Sequence, residues 1–351
     1  MTGFATFFDG LSLEYIRVIF MKRKAMEFLL AILMGVILPS LIFTVFECVA
    51  AQEEHEESIH TTTQVESEQE SISMPEYKER MIQVLLDNGT TCEFELDAYV
   101  LGVVLGEMPA DFEVEALKAQ AVVARTYALK RNTTGKKHMN GAVCINPACC
   151  QAYCSVESYL KRGGTSTSVN KVQSAVEDTQ GQVLTYNDKL IEATYFSCSG
   201  GKTEDAVAVW GTDIPYLQAV DSPGEENADY YADTVKYSAK EFADRLGIKV
   251  SGSPSSWLGA VAYTEGGGVD SMVICGKVFK GTTLRTRLGL RSTSFSIKAD
   301  GDTIVITTKG FGHRVGMSQY GADAMAVKGS TYKQILSHYY PGTTLQMHTQ
   351  N

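Results

Sequence analysis

Three features of the 351-residue chain predict an α+β fold. Apolar residues recur at helical spacing over 113–131. An apolar–turn–apolar pattern over 81–96 reads as a hairpin. After Val183 the sequence changes to short β-type runs broken by glycine turns. The composition is globular, with 44% hydrophobic and 21% charged residues. It excludes collagen-like, mucin-like and wholly disordered chains.

The N-terminal part comes first. Phe28 to Phe46 holds nineteen positions without a charge, preceded by Lys22, Arg23 and Lys24. At helical rise that run is about 28 Å long, roughly a bilayer core. It is longer than the apolar core of a signal peptide and lacks a clear small-x-small cleavage site, so an uncleaved anchor is expected over 28–48. The basic cluster predicts a cytoplasmic segment 1–27 and an exported remainder. Between Ala51 and Tyr77 stand eight Glu and no Lys or Arg. Such a segment buries too little to offset its ordering entropy, so 49–77 reads as a disordered acidic linker. The net charge of −10 therefore belongs largely to this linker. It argues against a nucleic acid held by bulk charge.

The exported domain, 78–351, begins with Met81–Leu86 and Cys92–Leu96 around Asp87-Asn88-Gly89, a type I′ hairpin signal. Asp97 is expected to cap a helix over Ala98–Gly106, ended by Pro109. A second helix is expected over 113–131, with Val114, Leu117, Ala121, Ala124 and Ala128 on its buried face. Val183–Tyr186 and Leu190–Phe196, joined by Asn187-Asp188, read as a further hairpin. A β-rich sub-lobe is expected over about 220–308, followed by closing helices at Ser318–Val327 and Tyr332–Tyr340.

Glu107 is the only ionisable carboxyl in the run 99–110. With Val103, Val104, Leu105 and Met108 beside it, its carboxyl loses hydration and its pKa rises, which suits a general acid. A solvent-facing Glu at a helix end is the plainer alternative. His138, Cys144, Cys149, Cys150 and Cys154 are zinc-type ligands at non-standard spacing, and in an exported domain a disulfide is equally admissible. Seven Cys lie beyond the expected anchor, so at least one is unpaired within a monomer. The glycine-rich run 310–322 supplies His313, Ser318, Gln319 and Tyr320, whose polar groups suit a hydroxyl-rich ligand, or the run simply caps a packed helix. The polar turn Ser197–Glu204 divides in the same way. The chain has no G-x-S-x-G, Walker A or H-E-x-x-H motif.

Several segments together resemble the stage II sporulation protein D family, the peptidoglycan lytic transglycosylases of endospore formers. They are YVLGVVLGEMP at 99–109, EVEALKAQAVVARTYAL at 113–129, CQAY at 150–153, FSCSGGKTE at 196–204 with VWG at 209–211, LGLRSTSF at 288–295, GHRVGMSQYGADAMA at 312–326 and ILSHYYPG at 335–342. The resemblance spans about 80–345. It implies mixed helical and β lobes forming a substrate groove, behind one transmembrane helix, with Glu107 as the catalytic acid. It also implies structural Zn²⁺ on His138, Cys144 and Cys150, leaving Cys149 and Cys154 as near-miss thiols. Lys118 and Arg125 would hold lactyl carboxylates of stripped glycan, and His313, Ser318, Gln319 and Tyr320 would form the facing wall. Implied partners are peptidoglycan glycan strands, the sporulation amidase/endopeptidase (stage II sporulation protein P) and membrane protein M of the same complex, at the mother-cell engulfing membrane. A related class of domains consists of non-catalytic amidase enhancers. Arg314 departs from the family pattern, which has Gly after the His of this motif.

Overall fold

The computed structural model describes residues 80–135 and 137–348. The expected cytoplasmic segment, anchor and acidic linker lie outside the described residues. Among the described residues no helix is long and apolar enough to cross a membrane. Helices and sheets mix within one compact unit, Pro75–Asn351, as an α+β fold requires.

The helical lobe opens with β1 (Met81–Leu85) and β2 (Thr91–Glu95), paired antiparallel. Their connection is not the expected type I′ turn. Gly89 N donates to Leu86 O and Leu86 N to Thr90 O, and only Gly89 has a positive φ, 82°. That pattern is a three-residue loop ending in a glycine bulge. The two-residue turn with left-handed backbone at both positions occurs instead at Asn187 (φ 49°) and Asp188 (φ 59°).

Helix α1 (Leu96–Glu107) follows β2 directly, with Glu95 at its N-cap. Asp97 lies inside the first turn and pairs with Arg125, so it is not the cap. Helix α2 (Val114–Thr134) is the centre of the lobe. Leu117, Ala121, Ala124 and Ala128 are fully buried, while Val114, expected with them, is exposed. Its alanines let α1 and several later elements approach closely from several sides. Strand β3 (Val143–Cys144) adds parallel to β1. Two capped helices follow, α3 (Val156–Lys161) and α4 (Ser166–Glu177), with Ser155 and Thr165 accepting the cap bonds.

Strands β4 (Gln182–Tyr186) and β5 (Lys189–Leu190) form the second hairpin. The expected long second arm is interrupted: after Leu190 the chain leaves this sheet, and β6 (Tyr195–Phe196) pairs elsewhere. Helix α5 (Ala206–Trp210) ends at Gly211.

A second apolar core forms between Phe242 and Ile306. Strand β7 (Ala232–Ser238) leads into α6 (Ala239–Leu246). Strands β8 (Leu258–Tyr263), β9 (Val269–Ile274) and β10 (Lys277–Lys280) make an antiparallel sheet, closed by α7 (Gly281–Arg287). Strands β11 (Phe295–Asp300) and β12 (Thr303–Lys309) complete a sheet of order β11-β12-β7.

The chain then returns to the helical lobe. Strand β13 (Met317–Ser318) pairs parallel with β6, and α8 (Gln319–Val327) and α9 (Tyr332–Tyr339) pack on α2. Ser318 caps α8, and Thr331 with Gln334 forms a capping box on α9. Strand β14 (Thr344–Met347) closes on β4.

Candidate active site

Glu107 is the last residue of α1, and two glycines on that helix determine what it meets. A Cβ on Gly102 would lie 2.1 Å from the Tyr153 ring, and one on Gly106 would lie 3.0 Å from Tyr153 N. Without those side chains the extended segment 151–154 lies directly on the helix, where Cys154 N donates to Gly102 O at 2.9 Å. That contact delivers Ala152 N to the Glu107 carboxylate, 2.6 Å from Oε1.

Tyr195 on β6 supplies a second donor, its hydroxyl 3.0 Å from the same Oε1. The hydroxyl is itself oriented, since Gln151 Nε2 donates to it at 3.2 Å and Tyr99 donates to Gln151 Oε1 at 3.3 Å. Gln319, at the start of α8, faces the carboxyl as well and favours its ionised form. Its buried Nε2 makes no hydrogen bond of ordinary length. Burial nevertheless outweighs these donors and raises the Glu107 pKa above the usual carboxylate range. The surroundings therefore differ from those expected. The apolar neighbours Val103, Val104, Leu105 and Met108 are buried in the core, and the groups touching the carboxyl are neutral polar donors.

The remaining expected residues divide sharply. Gln319 reaches Glu107. His313 packs between Phe196 and Trp210, with ring centroids 5.7 and 5.4 Å away, and Nδ1 accepts from Val315 N. Burial pushes its pKa down to about 4, so the ring is neutral near pH 7. Tyr320 packs edge-on against Phe112 and Tyr230. Ser318 is not a wall residue: it is fully buried, and its hydroxyl donates to Glu225 and caps α8.

Arg125 must also be corrected. It has no exposed surface, pairs with Asp97 at 2.8 Å, and donates to the carbonyls of Gln182 and Val176. A guanidinium so enclosed has nothing left to offer a glycan carboxylate. Lys118 is likewise engaged, 2.9 Å from Asp178 and 3.2 Å from Glu115. Glu115 also accepts from Tyr332 N at the start of α9. Glu113 is exposed.

His138, Cys144, Cys149 and Cys150 bring one ligand atom each within 4.8 Å of one another. Cys149 is thus a member of the cluster, correcting its reading as a near miss, whereas Cys154 turns its thiol toward Ser155 O. His138 Nε2 lies 3.4 Å from Cys149 Sγ and 3.5 Å from Cys150 Sγ. Tetrahedral zinc with such ligands sets N–S separations of about 3.6 Å, so the donor set fits. All seven described cysteines are free. Burial pushes the Cys144 thiol up to about 12 without an ion, so a bound cation would have to displace its proton.

Arg314 shows why glycine suits its position: its φ is 67°, in the left-handed region. The side chain compensates. It is buried, lies 3.5 Å from Glu204, and donates to the carbonyls of Ser199, Lys202 and Gly266. It thereby ties the polar turn after β6 to the β8–β9 turn. Glu225 is a residue that sequence reasoning missed. It sits beside Glu226 in a polar stretch with no periodicity, and only the fold gathers its donors.

Comparison with known proteins agrees with these motifs. The family model described as Stage II sporulation protein matches residues 88–186. Stage II sporulation protein D of Bacillus subtilis (strain 168) is 45% identical over 255 residues, 71% of this chain and 74% of that protein. Stage II sporulation protein D of Bacillus amyloliquefaciens is 39% identical over 332 residues, 92% of this chain and 96% of the relative. The amidase enhancer of Bacillus subtilis (strain 168) is 32% identical over 302 residues, 70% of this chain but 40% of its own length.

Proposed function

Since the chain belongs to the stage II sporulation protein D family, and with it to the proteins of sporulation, we propose that it is a membrane-anchored lytic transglycosylase acting on peptide-stripped peptidoglycan strands. The observation that carries this reading is Glu107: a half-buried carboxyl with a raised pKa, contacted by neutral donors and shifted by no charged group.

Hydrolytic glycosidases usually need a second carboxylate to activate water or attack the sugar. A transglycosylase replaces it with a hydroxyl of the substrate. Protonated Glu107 gives its proton to the glycosidic oxygen as the C1–O bond breaks. The resulting carboxylate then takes the proton of the muramic acid 6-hydroxyl, whose oxygen bonds to C1. The product is a 1,6-anhydro end, and Glu107 is protonated again. Because that hydroxyl is tethered beside C1, proximity stands in for the missing group.

Zinc on His138, Cys144, Cys149 and Cys150 would cross-link the loop that leads into Gln151 and Ala152. Four protein ligands leave no open position, as in structural sites. The ion would hold the segment that delivers Ala152 N to Glu107. Anchoring through 28–48 and work beside an amidase that strips the strands complete the proposal.

Mass spectrometry of peptide-free glycan strands incubated with the protein alone tests it. Anhydro-muramic ends are expected, and they should persist after chelation of a protein that stays folded. The relative named amidase enhancer favours one rival, a glycan-binding protein that stimulates a partner amidase. That rival predicts no anhydro ends from the protein alone and faster amidase turnover in its presence.

A further inference from the structure

Burial of Arg125 and pairing of Lys118 leave the carboxylates of a stripped strand without their expected cation. A different arginine is available. Beside His313 opens a cleft of about 560 Å³, walled by Trp210 at the end of α5, by Arg285 and Thr282 on α7, and by Thr293. The half-buried Arg285 guanidinium makes no hydrogen bond and no ion pair among the described residues. Its neighbours on the same lobe are all engaged: Arg245 with Glu241, Arg287 with Leu246 O, Arg291 with Asp233 and Arg314 with Glu204. A cation taken partly out of water without a partner is costly, and an anionic ligand would remove that cost.

Trp210 gives the cleft its second feature. It is 43% exposed yet held in place by the His313 ring. An anchored, exposed indole offers a flat apolar face to the C–H side of a sugar ring. Strand β6 joins this cleft to the acid, because Tyr195 bonds Glu107 through its hydroxyl and His313 through its backbone, while Phe196 packs on His313.

We propose that this cleft is a sugar subsite that reads the free lactyl carboxylate of an N-acetylmuramic acid residue, with Trp210 stacking on the ring and Arg285 pairing with the carboxylate. The inference rests on the glycan-cleaving reading above. It gives a physical reason for a preference for stripped strands. A stem peptide turns the lactyl carboxylate into an amide, which leaves Arg285 unpaired and crowds the cleft.

The chain contains two tryptophans, and the other, Trp257, is 5% exposed. Tryptophan fluorescence therefore reports mainly on Trp210. Full-length Glu107→Gln protein is titrated with three probes of equal sugar length: peptide-free glycan, chitooligosaccharide, and glycan bearing stem peptides. Peptide-free glycan should produce a saturable change at concentrations about tenfold lower than either other probe. Arg285→Gln should abolish that preference, and Arg285→Lys should retain part of it. Trp210→Phe, followed by calorimetry, should weaken binding of all three probes.

Equal affinity for peptide-free glycan and chitooligosaccharide would overturn the subsite. So would an unchanged preference in a folded Arg285→Gln protein. A preference for peptide-bearing glycan that Arg285→Gln removes would assign the carboxylate to the peptide and overturn the lactyl reading. Anhydro ends produced without any Trp210 response would reject the subsite and leave the catalytic reading standing. A saturating response from parent protein that produces no anhydro ends would do the reverse.

Discussion

Glu107 and Glu225 are two carboxylates of the helical lobe, and their surroundings differ in a way that assigns their work. Glu225 is 2% exposed and accepts from six donors. Its Oε2 receives Ser199 N, Ser199 Oγ, Gly200 N and Cys198 Sγ, while Oε1 receives the hydroxyls of Ser222 and Ser318. Glu107 receives Ala152 N and the Tyr195 hydroxyl, both on Oε1. A carboxylate with every lone pair committed is a pin. One with an uncommitted oxygen and a raised pKa can carry a proton to a substrate. Counting donors separates the two where residue type does not.

The largest effect should come from emptying the working carboxyl. Glu107→Gln keeps shape but has no acidic proton, so production of anhydro ends should fall by about 10²–10⁴-fold. Glycan binding and the circular dichroism spectrum should be unchanged. Equal rates for variant and parent would leave the amidase-enhancer reading as the better one.

The complementary substitution, Glu225→Gln, should act on stability. The amide turns N–H groups toward an environment made of donors, and the pin between the polar turn after β6 and the start of α8 fails. The expected loss is about 3 kcal/mol, read from urea unfolding, since bonds to a buried charge contribute about 1.5–3 kcal/mol each and replacement forfeits more than one. Protein that remains folded well below the midpoint should retain turnover within a few-fold. Lost turnover at unchanged stability would mean that the contrast between pin and acid is wrong.

A smaller effect separates the cysteines. Cys149→Ser removes a ligand of the proposed zinc site and should lower the zinc content found by elemental analysis after mild chelation. Cys154→Ser should retain one zinc per chain. Loosening the loop reaches Glu107 only through Ala152 N, so turnover should fall less than in Glu107→Gln. Identical zinc retention in the two variants would return Cys149 to the role of a bystander.

Much of this architecture is written locally, and the misreadings share one cause. Helices α1 and α2 follow from apolar spacing, and α8 and α9 also from capping residues, signals that act within a few positions. Glu107 was legible because a single acid in an apolar run has few explanations. Arg125 was not legible. Its burial depends on Asp97 from one helix and on carbonyls of Val176 and Gln182 far along the chain. Arg285 and Trp210 were equally invisible, because their common cleft exists only where α5 meets α7. The hairpin turns show the same limit at shorter range. Asn88-Gly89 and Asn187-Asp188 both permit left-handed backbone, yet only the second uses it at both residues, because strand register selects between a two- and a three-residue loop. Arg314 lay in the open as a departure from pattern, and its partners Glu204 and Gly266 supplied the explanation.

Tyr195→Phe gives the smallest and most diagnostic effect. The Tyr195 hydroxyl donates to Oε1 and so favours the ionised carboxylate, which holds the Glu107 pKa lower than burial alone would set it. Removing the donor should raise that pKa further. A general acid works only while protonated, so activity falls as pH climbs through the Glu107 pKa. The alkaline limb of kcat/KM should therefore move to higher pH in Tyr195→Phe, by somewhat less than about one pH unit, since one neutral hydrogen bond contributes about 1 kcal/mol. Tyr195 itself does not titrate in this range, because burial and the nearby Glu107 charge raise its pKa far above neutrality. The sign distinguishes two roles. A positioning hydroxyl shifts the limb upward and leaves the plateau within about tenfold of the parent. A hydroxyl that itself transferred the proton would, when removed, lower the plateau as far as Glu107→Gln does and leave the limb where it was.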